Sequence, residues 1–295
     1  MICLTIKTPS DFDFSATLYS HGWYQLAPNK IEEGTGKLTR PYQLTNGRLV
    51  QLCIIGSKSR SILVEVKGQS IISSRDRNLI MQAVRQLFNL GQNLKPFYAQ
   101  MSKTDGYEWI SEKKVARLLA SPTVWEDLVK TLLTTNTSWS NTLKMSERLS
   151  ALDPNAIFPS AEQLAQFSED DLGEKAGLGY RNQYLYQLVQ RVVSGELNVE
   201  SWRELSSPDL YKAIIGLQGF GDYAAGTVLR LLGHFDKLAI DSVVRKAYEQ
   251  ITGQAPESDT DIRTYYDDFG DWRGLVLWMD CIRDEFDAIS QTVIE

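Results

Sequence analysis

Asp241 stands in the segment Leu238-Ala239-Ile240-Asp241-Ser242-Val243-Val244-Arg245-Lys246, at the point where apolar spacing opens a helix. An aspartate there accepts hydrogen bonds from free backbone amides, so capping is one reading of it. The same amides and the helix dipole favour its ionised form. A carboxylate kept ionised can stabilise the positive charge that develops on a sugar as a glycosidic bond breaks. Asp241 lies 18 residues beyond Tyr223, in the stretch Leu217-Gln218-Gly219-Phe220-Gly221-Asp222-Tyr223-Ala224-Ala225. Two glycines one residue apart allow a tight turn, and a helix begins immediately after the second. The first amides of that helix have no intrahelical partners and, with the dipole, make a site for one phosphate. Such a contact positions a nucleic-acid backbone without reading its sequence.

The elements that must hold these residues are helical. Apolar spacing predicts helices over 122–133, 160–167, 183–194, 208–215, 223–232, 241–251 and from Trp272 to Ile282. The two helices 208–215 and 223–232 flank the glycine-rich turn. The first third reads differently. Ile2, Leu4 and Ile6 alternate with polar residues, and Ile62–Val66 is another short strand. Asn46-Gly47 between Tyr42–Thr45 and Arg48–Ile55 signals a two-residue hairpin in which both turn residues take positive φ. A helix capped by Ser74 follows, with Leu79, Ile80, Ala83, Val84, Leu87 and Phe88 on one face and Gly91 as its stop. The fold class expected is therefore α+β. An antiparallel sheet-plus-helix domain over residues 1–93 precedes an all-α domain over 94–295.

Composition bounds the function. The 295 residues are 43% hydrophobic and 23% charged, ordinary for a globular protein. No run approaches the roughly 20 apolar residues of a membrane span, and Met1–Thr8 does not read as a signal peptide. Cys3, Cys53 and Cys281 are too few for a disulfide framework or a four-cysteine cluster, and His21 and His234 have no ligand-spaced neighbours. A reducing cytoplasm is expected, with association to the nucleoid if the source is bacterial. The net charge of −6 argues against a general nucleic-acid binder. However, residues 251–295 hold 11 Asp and Glu against 3 Arg, a net of −8, which leaves +2 for the first 250 residues. A DNA-facing surface is thus expected to be local and to lie on those 250 residues.

The hairpin resembles that of the helix-hairpin-helix family, which reads Leu-x-Gly-(apolar)-Gly-x-x-(Ser/Thr)-Ala. Leu217, Gly219, Phe220, Gly221 and Ala225 fit; Ala224 replaces Ser/Thr, and Asp222 adds a negative charge. With the downstream Asp-(Ser/Thr)-x-x-x-Arg-like segment, the chain resembles the superfamily of 3-methyladenine glycosylase II, 8-oxoguanine glycosylase, endonuclease III and the adenine-mismatch glycosylases. The resemblance covers about 122–244. It implies that Asp241 is the catalytic carboxylate and that Gly219, Phe220 and Gly221 bind DNA backbone. It implies that Asn136 fills space left by an extruded base. In Gly177-Leu178-Gly179-Tyr180-Arg181, similar to the family's Leu-Gly-Tyr-Arg turn, Tyr180 would wedge into the stack and Arg181 would reach the orphaned base. Backbone carbonyls of Ile215, Leu217 and Phe220 would hold a K+ or Na+ ion; no other cofactor is required.

The same resemblance narrows the reaction. Members that also cut the strand carry a lysine where this chain has Tyr223, which cannot form a Schiff base. A monofunctional hydrolase is expected, a monomer acting on double-stranded DNA that contains a damaged base. With only Cys281 near the C-terminus, the branches with an iron–sulfur cluster fit poorly. An alkylated purine already carries positive charge, needs no acid and suits an aromatic pocket through cation–π attraction. Trp23, Trp109, Trp139, Trp272 and Trp278 are candidates for such a pocket, against core packing as the alternative for each. An oxidised-purine glycosylase without lyase activity, supported by Asn136, Tyr180 and Arg181, is a second reading. A non-catalytic DNA-binding protein that kept the fold is a third.

Overall fold

The computed structural model describes residues 2–32, 35–57 and 59–293. Strand β1 (Ile2–Lys7) and a short helix α1 (Phe14–Leu18) precede β2 (Lys30–Glu32), β3 (Lys37–Gln43), β4 (Leu49–Ser57) and β5 (Ser61–Lys67). The strands form one antiparallel sheet in the order β1-β5-β4-β3-β2. Period-two burial along β1 and β5 places Leu4, Ile6, Ile62, Val64 and Val66 in a core shared with helix α2 (Ser74–Leu87). The α2 cap is Ser73, whose hydroxyl accepts the Asp76 amide at 3.0 Å, one residue before the expected Ser74.

The β3–β4 connection differs from the sequence expectation. Only Gly47 takes a positive φ (80°), the Gly47 amide bonds the Leu44 carbonyl at 2.9 Å, and the Leu44 amide bonds that of Arg48 at 2.9 Å. Asn46 stays out of the left-handed region. The loop is thus longer by one residue, a turn followed by a glycine bulge. Asp76 on α2 fixes it by accepting the Thr45 amide at 2.7 Å, a tertiary anchor that local turn chemistry does not contain.

Helices make up the rest: α3 (Lys95–Met101), α4 (Glu108–Glu112), α5 (Val124–Thr134), α6 (Trp139–Ser150), α7 (Ala161–Leu164), α8 (Glu169–Ala176), α9 (Arg181–Val193), α10 (Ser207–Ile215), α11 (Asp222–Leu231), α12 (Ser242–Thr252), α13 (Asp259–Asp267) and α14 (Arg273–Val293). The α+β class, sheet first and helices after, is as expected. Buried residues of α5–α11 form one core, and those of α3, α4 and α12–α14 form another. Among the described residues no helix is long and apolar enough to cross a membrane.

Buried charge ties the sheet to the helices. Arg40 of β3 donates to Glu126 of α5 at 2.9 Å, and Lys130, one turn on, donates to the same carboxylate at 2.7 Å. Trp23 donates its indole N–H to Asp127 at 2.8 Å. The Arg40 and Lys130 charges overcome the desolvation that would raise the Glu126 carboxyl and hold it at about 2.

Candidate functional site

The end of α5 is the junction at which the candidate residues meet. Thr134, its last residue, puts a hydroxyl beside the Tyr223 phenol near the start of α11. Burial raises the Tyr223 phenol above its ordinary value, Thr134 opposes this, and the nearby charge of Asp241 adds to it. Asp241 caps α12: its Oδ1 accepts the Val244 amide at 2.9 Å. The carboxylate is partly exposed, so capping leaves the second oxygen for a ligand. The two readings of Asp241 as cap and as reactive carboxylate therefore coexist in one geometry.

The hairpin joins α10 to α11. Gly219 has φ 84°, and a Cβ placed on it would stand 2.4 Å from Tyr184 Cδ2. Glycine there satisfies both the left-handed backbone and the close approach of a ring. Gly221 has φ −101°, and nothing lies within 4 Å of where its Cβ would be. No internal contact demands glycine at 221, so its bareness keeps the α11 amides open from outside. Phe220 is buried in the helical core beneath the turn. The Leu217 carbonyl accepts the Phe220 amide at 3.3 Å. The Asp222 carboxylate accepts the Tyr211 hydroxyl at 2.5 Å, which turns that charge toward α10.

Thr135 and Asn136 follow α5. Asn136 is exposed and adopts φ 44°, a left-handed conformation that asparagine tolerates better than most residues. The Gly177–Tyr180 turn packs on this loop. Tyr180 is half exposed (49%), and its hydroxyl donates to the Thr135 carbonyl at 3.3 Å. Arg181 differs from the expected free arginine. It is buried, lies 4.5 Å from the Tyr180 ring centroid, and donates to the carbonyls of Thr135, Asn136 and Leu178. Its two terminal nitrogens donate to these carbonyls and tie the two loops together. Tyr184, one turn further on, meets Tyr180 edge-on at 5.9 Å and reaches Gly219 on its other side. The wedge candidate and the hairpin are thereby linked through one ring.

Of the candidate tryptophans, Trp272 packs on Phe97 and Phe235 in the C-terminal core, and Trp109 lies beside Arg283. Trp23 is buried with its N–H committed to Asp127. Trp139 and Trp278 both border the segment from Ser20 to Gln25. Trp139 covers Gly22, where a Cβ would meet its ring at 2.6 Å, and Trp278 donates to the Ser20 carbonyl at 2.8 Å.

Two residues of this region were not singled out as site candidates in the sequence, His21 and Arg230. Both are buried, and the Arg230 guanidinium lies 4.5 Å from the Trp278 centroid. Burial, then the charges of Arg230 and Lys130, hold the His21 imidazole well below its ordinary value and keep it neutral. One signal for Arg230 was available: Tyr223, Thr227 and Arg230 recur at helical spacing on one face of α11.

No model of a known family matches the sequence. The DNA-3-methyladenine glycosylase of Bacillus subtilis (strain 168) is 23% identical over 240 residues, 77% of this chain and 78% of that protein. The 3-methyladenine DNA-glycosylase from Archaeoglobus fulgidus superposes with a TM-score of 0.75 at 20% identity, over 97% of this chain and 99% of that one. The Clostridium acetobutylicum 8-oxoguanine glycosylase/lyase, in complex with double-stranded DNA containing cytosine opposite 8-oxoguanine, gives 0.70 at 18% identity over 97% and 98%. From its first strand to its last helix, this chain has the fold of the helix-hairpin-helix DNA glycosylases.

Proposed function

We propose that this protein is a monofunctional DNA glycosylase of base excision repair that hydrolyses the N-glycosidic bond of a damaged purine in double-stranded DNA. The observation that carries the reading is the Asp241 carboxylate, fixed at the start of α12 and close enough to Tyr223 of the hairpin for its charge to be felt there. In this role the hairpin amides after Gly221 hold a phosphate, Asn136 and Tyr180 face the opened duplex, and Asp241 stabilises the cationic sugar. Water then adds to C1′. Tyr223 offers a phenol where an amine would be needed to cut the strand. The curated relative's name points to 3-methyladenine as one lesion, and the Clostridium complex to 8-oxoguanine as another.

Subsidiary parts of the reading rest on less. The carbonyls of Ile215, Leu217 and Phe220 would hold a monovalent cation between the hairpin and a phosphate; the long bond at the Leu217 carbonyl leaves that oxygen able to coordinate. Three cysteines in the sequence supply no four-cysteine cluster. A division at 93/94 follows the separate core of the sheet and α2, although Leu119, Ala120 and Leu231 also pack into that core. A cytoplasmic monomer completes the picture. The deciding experiment is release of free base from a panel of lesion-bearing duplexes, with strand integrity followed on the same gels. Base loss without nicking is expected. Binding without base loss on every lesion would favour a non-catalytic DNA-binding protein.

A further inference from the structure

Arg230 is a buried cation on the face of α11 that carries Tyr223. It is 2% exposed, and its Nε and Nη1 are buried without a hydrogen-bond partner. Among the described residues no carboxylate forms an ion pair with it. Buried guanidinium donors are normally satisfied, because each unpaired donor costs its full desolvation. The place of this one is informative. It lies on the face of α11 that carries Tyr223 and Thr227; burial disfavours its charge, and Cys281, Tyr223 and Asp241, in that order, oppose this. The guanidinium also occupies a face of Trp278 at 4.5 Å. On the neighbouring side, the His21 ring lies 5.1 Å from Trp278, and its Nδ1 is likewise buried and unpartnered. Two unpaired guanidinium donors thus lie beside an aromatic ring, on the helix face that carries Tyr223.

We propose that Arg230 recognises the extruded base, and that its fixed cation selects neutral purine lesions bearing an exocyclic carbonyl, the products of deamination or oxidation, over cationic N-alkylated purines. The inference rests on the glycosylase reading and gives that site its substrate class. A cationic base would meet like charge in a medium of low dielectric, and the chain's own guanidinium occupies the Trp278 face that would otherwise attract it. A neutral carbonyl-bearing purine gains in two ways. Its oxygen and ring nitrogens accept from Arg230 and His21 in the ground state. As the C1′–N9 bond breaks, its electron pair moves onto the purine, and negative charge grows on those same atoms. Water bonds to C1′ and gives a proton to Asp241, which passes it to solvent. The departing base anion takes a proton from solvent. A fixed cation thus fills the place of the acid that a neutral leaving group otherwise requires.

The test uses the full-length protein and single-turnover base release from duplexes carrying hypoxanthine, 8-oxoguanine or 7-methylguanine, each rate divided by spontaneous loss from the same duplex. The wild-type enhancement should be at least ~10-fold larger for one of the neutral lesions than for 7-methylguanine, the scale of one well-placed polar contact. Arg230→Met should lose at least ~100-fold on that neutral lesion, as for removal of one transition-state donor, and at least ~10-fold less than that on 7-methylguanine. Arg230→Lys, which keeps the charge, should retain part of the activity. A larger wild-type enhancement for 7-methylguanine overturns the substrate class while leaving a glycosylase; this arm needs no variant and stands even if Arg230→Met does not fold. Equal losses on all lesions in a folded Arg230→Met make Arg230 structural and overturn the inference. Release from no duplex overturns the glycosylase reading and the inference together.

Discussion

The Tyr184 ring occupies the space that a side chain at residue 219 would need, 2.4 Å from the position of a Cβ there. Gly219→Ala therefore meets two obstacles, the ring and a φ of 84°. The melting temperature should fall, with a cost on the order of 1–3 kcal/mol for a left-handed non-glycine residue under contact strain. Adding Tyr184→Ala should recover the part due to the clash and not the part due to φ. No recovery in the double variant, by thermal denaturation, would mean that the ring does not set the hairpin.

Gly221 makes the contrast. Its backbone is ordinary and its surroundings are open, so Gly221→Asp should leave the melting temperature near that of wild type. It should weaken binding to every duplex alike, because a phosphate contact carries no sequence information. Titrating duplexes of unrelated sequence checks this; loss confined to one sequence would contradict it.

For Asp241, asparagine is the informative replacement, because it also caps helices well. Asp241→Asn should keep the Val244 contact, the fold and DNA binding, and should lower single-turnover base release by at least ~100-fold. An unchanged rate would remove the carboxylate from the chemistry. Borohydride trapping of the wild-type protein on lesion DNA should give no covalent adduct, since residue 223 is tyrosine.

Asp280 predicts a pH dependence of stability. It is buried in the C-terminal core, accepts the hydroxyls of Tyr266 at 2.8 Å and Tyr107 at 3.0 Å, and is pushed by burial up to about 6. A carboxyl raised on folding favours the folded state below its unfolded value near 4, and that contribution is lost as pH rises through about 6. The protein should therefore lose stability from this group between about pH 4 and 6, on the order of 1–3 kcal/mol for a shift of this size. Asp127, raised to about 6 chiefly by burial, acts in the same window and direction. Asp280→Asn should flatten the stability profile across that window; a profile parallel to wild type would show that Asp280 does not titrate there.

These residues also show what the sequence could disclose. The hairpin and Asp241 were legible because their chemistry is local: two glycines, a helix start and a cap, all within one stretch. Helix α6 was not, because three of its five buried residues, Thr142, Ser146 and Ser150, are polar, against Met145 and Leu149. Strand β2 has three residues, too few for a period to register. Arg230, Trp278 and His21 come from a helix, another helix and a loop far apart in the chain, and no local pattern marks a guanidinium that folding leaves with two unpaired donors. The packing of Arg181 escaped the sequence for a related reason. Its sequence neighbours describe a turn, but the carbonyls that capture it belong to the end of α5.

Tyr180 and Arg181 can now be separated by experiment. A glycosylase must extrude its target and offset an unstacking cost of a few kcal/mol. Tyr180 is half exposed; Arg181 covers one face of its ring and its hydroxyl makes one long bond to Thr135, which leaves the exposed part of the ring to enter a base stack. Tyr180→Ala should change the melting temperature little. It should slow base release from a fully paired duplex far more than from one whose target lies opposite an abasic gap, where extrusion is cheap. Arg181→Ala should do the reverse. It removes a buried charged donor from three carbonyls and should cost roughly 1.5–3 kcal/mol of stability, the range for hydrogen bonds to charged groups. Its effect on base release should be the same on both duplexes, because it acts by placing Asn136 and Tyr180 rather than by touching the orphaned base. A Tyr180→Ala protein that melts early and loses equally on both substrates would make that ring structural. An Arg181→Ala protein of unchanged stability, impaired only on the paired duplex, would return the arginine to the DNA.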